Sequence, residues 1–343
     1  MQKKYIIGGI VVIGMLVIVI GWLGLEDPTR PRPSLQPIPM NNWIPYPVNP
    51  AMSEGRIGNW RYQPSDPLVM KDGEVYKMWF GANDEEQSIT QIGYAESRDG
   101  IAWEIHPEPV LRPGSKTVYD ATVVETPTVV KAPDGTYHMW YSSVNKFGGN
   151  GDEAIYRIGH ATSPNGINWT KDPNNPVIRP GDFSQNEWNS WGVLEPTVIQ
   201  EDGIFKMWFD GLVVDAPDYK TAHHRLGYAT SKDGSEWKVN KDSILELCTG
   251  PLNKILNSAF FVLHRGDIYE LWYMGGECPD VYATSKDGIH WEKQQGIILS
   301  AGRADQIVSS PTIIVEDGKY KMWYSVTKID SSGFHHEIWF AVK

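Results

Sequence analysis

Tyr76-Lys77-Met78-Trp79-Phe80 decides the reading of this chain, because the phrase comes back four more times. It returns as Tyr137-His138-Met139-Trp140-Tyr141, Phe205-Lys206-Met207-Trp208-Phe209, Tyr269-Glu270-Leu271-Trp272-Tyr273 and Tyr320-Lys321-Met322-Trp323-Tyr324. A second phrase, Ile92-Gly93-Tyr94-Ala95 running through Ser97-Arg98-Asp99-Gly100 to Trp103, follows the first copy, with later versions over 158–169, 226–237 and 281–291. A third element precedes the phrase: Asp66-Pro67-Leu68-Val69, Pro127-Thr128-Val129-Val130, Glu195-Pro196-Thr197-Val198 and Pro311-Thr312-Ile313-Ile314, with Ser258-Ala259-Phe260-Phe261-Val262 lacking the proline.

Each unit reads as four antiparallel strands: A (Pro-Thr-Val), B (Tyr-Lys-Met-Trp-Tyr), C (Ile-Gly-Tyr-Ala) and D around the last Trp. The A–B turns carry Asp72-Gly73, Asp134-Gly135, Asp202-Gly203 and Asp317-Gly318, a strong hairpin signal because both positions tolerate positive φ. Four strands repeated every 51 to 68 residues is the pattern of propeller blades. The expected fold is all-β, a five-bladed β-propeller over residues 41–343. The fifth copy stops before its strand D, whereas Asn42-Trp43-Ile44-Pro45-Tyr46-Pro47-Val48 resembles the strand D that begins at Asn168-Trp169. Residues 41–50 are therefore expected to complete blade five, removing two free sheet edges.

Ahead of the repeat, Tyr5–Leu25 runs without a charge, long enough to cross a hydrocarbon core of roughly 30 Å as a helix. Lys3 and Lys4 before it and Glu26 and Asp27 after it put residues 1–4 in the cytoplasm and the body outside, on a signal anchor over 5–25. Residues 26–40, with five prolines, read as a semi-rigid stalk. The net charge of −11 excludes a basic surface for nucleic acid. The expected partner of that helix is the membrane. Cys248 and Cys278 fit either a disulfide or two thiols; their places near one face of blade four lean toward pairing.

Residues that recur in every blade serve the blade: ten of the fifteen tryptophans do so, as do the turn aspartates. What varies is the head of strand A, where the residue before the proline position reads Asp66, Thr126, Glu195, Ser258 and Ser310, and the one before that Ser65, Glu125, Leu194, Asn257 and Ser309. Strand A is innermost, so Asp66, Glu125 and Glu195 from consecutive blades are expected to meet at one axial mouth. Crowded carboxyls push their proton affinities apart, leaving one protonated and another ionised. Glycoside hydrolysis requires such a pair; the plainer alternative is that these acids cap strands or hold a structural cation in the central channel. No cofactor or metal ligand set is expected. The long B–C loops share this face, as do Trp60, Trp188 and Trp191, whose rings suit sugar stacking, and His223, His224, His335 and His336. Asp120 is a second carboxylate in blade two; with Trp60, Trp188, Trp191, His224 and His335 it completes the expected substrate-binding set.

With Asp66-Pro67 opening blade one, Glu195-Pro196 opening blade three and the phrase Tyr282-Ala283-Thr284-Ser285-Lys286-Asp287-Gly288-Ile289-His290-Trp291, residues 41–343 resemble the five-bladed glycoside hydrolase superfamily of families 43, 62, 32, 68, 117 and 130. The resemblance to family 43 implies Asp66 as general base, Glu195 as general acid and a blade-two carboxylate, Glu125 or Asp120, as modulator. Families 32 and 68 would make Asp66 a nucleophile, but their Trp-Met-Asn-Asp-Pro-Asn opening is replaced by Gln63-Pro64-Ser65-Asp66-Pro67-Leu68. Two alternatives stand beside hydrolysis: a non-catalytic carbohydrate-binding propeller, and a family 130-like phosphorylase using Arg157, Lys220 or Arg225 for phosphate. A sialidase is set aside, since the Ser-x-Asp-Gly-x-x-Trp phrase is one residue short between Asp and Gly.

Overall fold

The computed structural model describes residues 43–55, 60–84, 89–115, 119–145, 155–182, 185, 187–215, 221–251, 258–275, 281–294, 306–331 and 333–343. The expected cytoplasmic tip, anchor and stalk (1–40) lie outside them. Among the described residues no helix is long and apolar enough to cross a membrane.

The described residues form five four-stranded antiparallel units. Blade one is Gln63–Asp72, Val75–Asn83, Thr90–Ser97 and Glu104–Ile105; blade two is Val123–Lys131, Tyr137–Val144, Arg157–Ser163 and Thr170–Lys171. Blade three is Gly192–Glu201, Ile204–Val214, Thr221–Ser231 and Lys238–Val239, with an additional strand, Leu245–Pro251, pairing alongside strand C. Blade four is Ser258–Arg265, Ile268–Gly275, Val281–Ser285 and Glu292–Gln294. Blade five is Gln306–Glu316, Lys319–Asp330 and Gly333–Val342, and Ile44–Pro45 supplies its outer strand, with Ile44 opposite Val342 and Pro45 opposite Ala341. The two ends of the propeller thus share one sheet, which closes the ring by hydrogen bonds.

Blades are joined by their repeated tryptophans. Trp79, Trp140, Trp208 and Trp323 are fully buried. Each indole N–H donates to the carbonyl of the C–D turn glycine of the next blade: Trp79 to Gly166 (2.8 Å), Trp140 to Gly234 (2.8 Å), Trp208 to Gly288 (2.7 Å) and Trp323 to Gly100 (2.7 Å). These glycines have φ near +80°, and a Cβ on any of them would come within 2.7–2.9 Å of the indole. Both the backbone and the close approach require glycine there. The serine and aspartate before it build the turn, as Ser97 accepts the Gly100 N–H and Asp99 accepts those of Ile101 and Ala102. The Ser-x-Asp-Gly-x-x-Trp phrase is therefore a blade-joining device.

The heads of the inner strands are irregular in four blades. The A–B register slips between Ser65 and Leu68, Glu125 and Thr128, Leu194 and Thr197, and Ser309 and Thr312. At each slip a residue other than glycine has left-handed φ: Asp66 (50°), Thr126 (45°), Glu195 (54°) and Ser310 (51°). Such conformations cost on the order of 1–3 kcal/mol each. The following proline has no N–H to lose from the ladder, so the bulge sacrifices no donor there. Blade four lacks the proline, and its described A–B register runs without a slip.

Candidate functional site

Bulges re-aim side chains, and here they turn the four strand-A residues toward the propeller axis. A narrow cavity of about 40 Å³ runs there, lined by strand A of every blade, including Asp66, Thr126, Glu195 and Ser310. Pockets that bury a small organic ligand measure about 300–1,000 Å³. The axial cavity is thus too small to enclose such a ligand, and Asp66 and Glu195 are among its lining residues.

Asp66, Glu125 and Glu195 are all half-buried and interact with one another. Asp66 accepts hydrogen bonds on both oxygens, from the hydroxyls of Ser65 (2.8 Å) and Ser310. Its backbone N–H donates to Ser325 Oγ of blade five (2.8 Å), and that of Glu195 donates to Ser142 Oγ of blade two (2.7 Å). Strand B of the preceding blade thereby holds these two strained bulges. Glu125 accepts from Tyr156 (2.9 Å). Burial, then the neighbouring Asp66 charge, push its carboxyl up to about 7, against the opposing Tyr156 bond. Burial also drives Glu195 well above the ordinary range, reinforced by Asp210, Asp66 and Glu125. Glu195 Oε2 is buried and, among the described residues, has no hydrogen-bond partner. An unpaired buried carboxylate oxygen is costly when charged, which favours the protonated acid.

The other expected site residues have structural partners of their own. Asp120 is buried in an ion pair with Lys171 of blade-two strand D, whereas Glu125 is the blade-two carboxyl that interacts with Asp66 and Glu195. Trp60 and Trp188 are packing residues. Trp60 stacks on Phe80 (6.1 Å, 21°) over Gly93 and donates to the Pro107 carbonyl; Trp188 stacks on Phe209 (5.8 Å, 29°) over Gly227 and donates to the Lys241 carbonyl. Trp191 packs half-buried against the core around Trp208 and Phe260. His335 lies between Glu54 (3.2 Å) and Asp330 (3.2 Å), which raise its proton affinity. Its neighbour His336 is the one that feels Asp66; burial nevertheless lowers its pKa. His224 is buried and bonded through Nδ1 to Asp210, a fully buried residue that sequence reasoning missed.

Arg225, one of the cations considered for phosphate, is paired with Glu246 (2.8 Å), and Lys220 lies outside the described residues. Among the described residues no group of three or more His, Cys, Asp or Glu is arranged to hold a metal ion. Cys248 is disulfide-bonded; the chain's other cysteine, Cys278, lies outside the described residues.

No family model matches the chain. An uncharacterized protein of Mycobacterium tuberculosis, Rv1502, is 25% identical over 274 residues, covering 77% of this chain and 87% of the relative. A 1,2-beta-oligomannan phosphorylase of Thermoanaerobacter sp. is 23% identical over 236 residues, covering 64% of this chain and 69% of the relative. Among solved structures, a member of the GH130 family of mannoside phosphorylases, which contains glycoside hydrolases targeting beta-1,2 mannosidic linkages in Candida mannan, superposes with a TM-score of 0.61 at 13% identity over 89% of this chain and 95% of that one. The fold is that of the five-bladed glycosidase propellers.

Proposed function

We propose that this chain is a glycan-active enzyme that hydrolyses glycosidic bonds with Glu195 as general acid and Asp66 as general base. The observation that carries the reading is the contrast between these two carboxyls at one mouth. Glu195 is pushed up, and its Oε2 is buried without a partner among the described residues, whereas Asp66 accepts hydroxyl hydrogen bonds on both oxygens. In the reaction Glu195 gives its proton to the leaving glycosidic oxygen as the bond to the anomeric carbon breaks. Asp66 takes a proton from the water that attacks that carbon. Glu125 adds charge that keeps the acid protonated.

Phosphorolysis is the second reading, favoured by the oligomannan phosphorylase relative; phosphate would then replace water as nucleophile. The propeller is further proposed to sit outside the cell on its N-terminal anchor. The disulfide at Cys248 supports an oxidising compartment, and protease accessibility in intact cells tests that placement. For the chemistry, a panel of aryl glycosides and of plant, algal and microbial glycans, β-mannans included, is incubated with and without inorganic phosphate. Wild type should turn over at least one of them, while Asp66→Asn and Glu195→Gln should not. Turnover that survives both substitutions would overturn the site, and saturable glycan binding without turnover would make the propeller a binding module. Release of a sugar phosphate only when phosphate is present would select the second reading.

A further inference from the structure

Behind Glu195 stands a second layer of charge that the proposed chemistry does not use. Asp210 follows the strand-B phrase of blade three and pairs in register with Leu194, the residue before Glu195. Its Oδ2 bonds to Nδ1 of His224. Asp210 is fully buried and His224 nearly so. Three atoms of this cluster, Glu195 Oε2, Asp210 Oδ1 and His224 Nε2, are buried without a hydrogen-bond partner among the described residues. The additional strand of blade three runs alongside the cluster in the same sheet: Cys248, disulfide-bonded, lies opposite His224 in the register. At the Asp210 position the other blades carry Gly81, Ser142, Met274 and Ser325. At the His224 position, two residues before the strand-C Ile or Leu, Thr90, Tyr156 and His336 stand in blades one, two and five. The acid–imidazole pair occurs only behind the bulge that carries Glu195.

We propose that Asp210 and His224 are positioning residues forming a balanced charge pair that sets how tightly Glu195 holds its proton. The inference rests on Glu195 being the acid of the proposed reaction. A carboxylate at Asp210 would oppose ionisation of Glu195, and an imidazolium at His224, bonded to Asp210 Oδ2, would moderate that opposition. The charged groups facing Glu195 are Asp210, Asp66 and Glu125, of which Asp210 pushes hardest, with the Tyr156 phenol close by. Those facing His224 are Asp210 and Glu246; burial works against the imidazolium, but the two carboxylates outweigh it and raise its proton affinity. Glu246 is itself tied to Arg225 and Thr249.

The pair's two members therefore act on Glu195 with opposite sign, which no purely structural role would produce. The test is a pH titration of the ligand-free chain labelled with ¹³C at the glutamate carboxyls, with Glu195→Gln used to assign the Glu195 resonance. In Asp210→Asn the midpoint of Glu195 should fall by about one pH unit or more, as expected for removal of a close like charge. In His224→Asn it should rise. The tryptophan near-UV circular dichroism spectrum reports whether each variant is folded; if one is not, the other carries the test with its own sign. A Glu195 midpoint unmoved in a folded variant, or moved in the same direction by both, would overturn the inference. The titration needs no substrate, so it is separable from the reaction itself. Should Glu195→Gln retain full turnover, the acid assignment fails, whatever the titration shows.

Discussion

The same innermost strands carry carboxylates at both ends, and the two ends treat them in opposite ways. At the tail of strand A, Asp72 receives Lys77 (2.8 Å), Lys131 (2.9 Å) and the Tyr137 phenol of the next blade. Glu316 receives Lys321, Lys71 and the Tyr76 phenol across the junction of blades five and one, and Glu201 receives Lys206 (2.6 Å), the Tyr269 phenol (2.6 Å) and His264. These bonds hold Asp72 and Glu316 well below the ordinary carboxylate range. Six residues back along strand A from Asp72, about 20 Å at the rise of an extended strand, stands Asp66. There Asp66, Glu125 and Glu195 face one another and hydroxyl groups rather than cations, and Glu125 and Glu195 are pushed up. The residue type is shared, and in blades one and three so is the strand; the supply of cations separates the two ends.

The largest expected effect breaks this contrast at the mouth. Glu195→Gln keeps shape and removes the transferable proton, so turnover of an unactivated glycan should fall by roughly 10²–10⁴-fold. Asp72→Asn, at the other end of the sheet, should leave kcat within about twofold. Steady-state kinetics of the two variants side by side decides the matter: comparable losses in both would mean that activity tracks the blades' integrity rather than the acids.

A smaller effect sharpens the comparison through stability. Glu125 binds its proton more tightly in the folded chain, with a pKa of about 7 against an ordinary 4.5. Below pH 4.5 both states are protonated and nothing is lost. As pH rises toward 7 the unfolded chain ionises first, so ionisation draws the protein toward unfolding, and above 7 the full cost, roughly 2–3 kcal/mol, is present. Glu125→Gln should therefore stabilise the propeller by about that much at pH 8 and by almost nothing at pH 4, read as denaturant midpoints. A gain equal at both pH values would mean that packing, not charge, is responsible. A site that destabilises its own scaffold is an expected cost of function.

The fold was legible in the sequence because five copies of one phrase report the same contacts five times over. That Asp66, Glu125 and Glu195 gather together was legible for the complementary reason, since they vary where the blades otherwise agree. That criterion was applied only to the head of strand A. Applied one residue past the strand-B phrase, where the blades read Gly81, Ser142, Asp210, Met274 and Ser325, it would have found Asp210. Two residues before the strand-C Ile or Leu it would have found Tyr156 and His336 beside His224. The packing of Trp60 and Trp188 was not legible because, among the described residues, it recurs in two blades, each ring stacking on the strand-B phenylalanine above a strand-C glycine. The ion pair of Asp120 was not legible because its partner, Lys171, lies 51 residues away, beyond the reach of a local reading.

The clasps allow the smallest prediction, with the opposite sign to Glu125. Asp72 is depressed in the folded chain, chiefly by the hydrogen bonds from Lys77, Tyr137 and Lys131. Its contribution is present in full above the ordinary carboxylate pKa and disappears as pH falls through and below that value, because the unfolded chain then takes up the proton first. Its side chain is 24% exposed, so solvent screens the pair, and Asp72→Asn should cost about 1 kcal/mol at pH 7 and progressively less toward pH 2. Added salt should shrink the pH 7 cost but leave the Glu125→Gln gain at pH 8 nearly intact, since the latter arises first from burial and not from an exposed pair. Equal salt sensitivity of the two effects would collapse the distinction between the ends of strand A, because it would place both carboxylates in the same solvent.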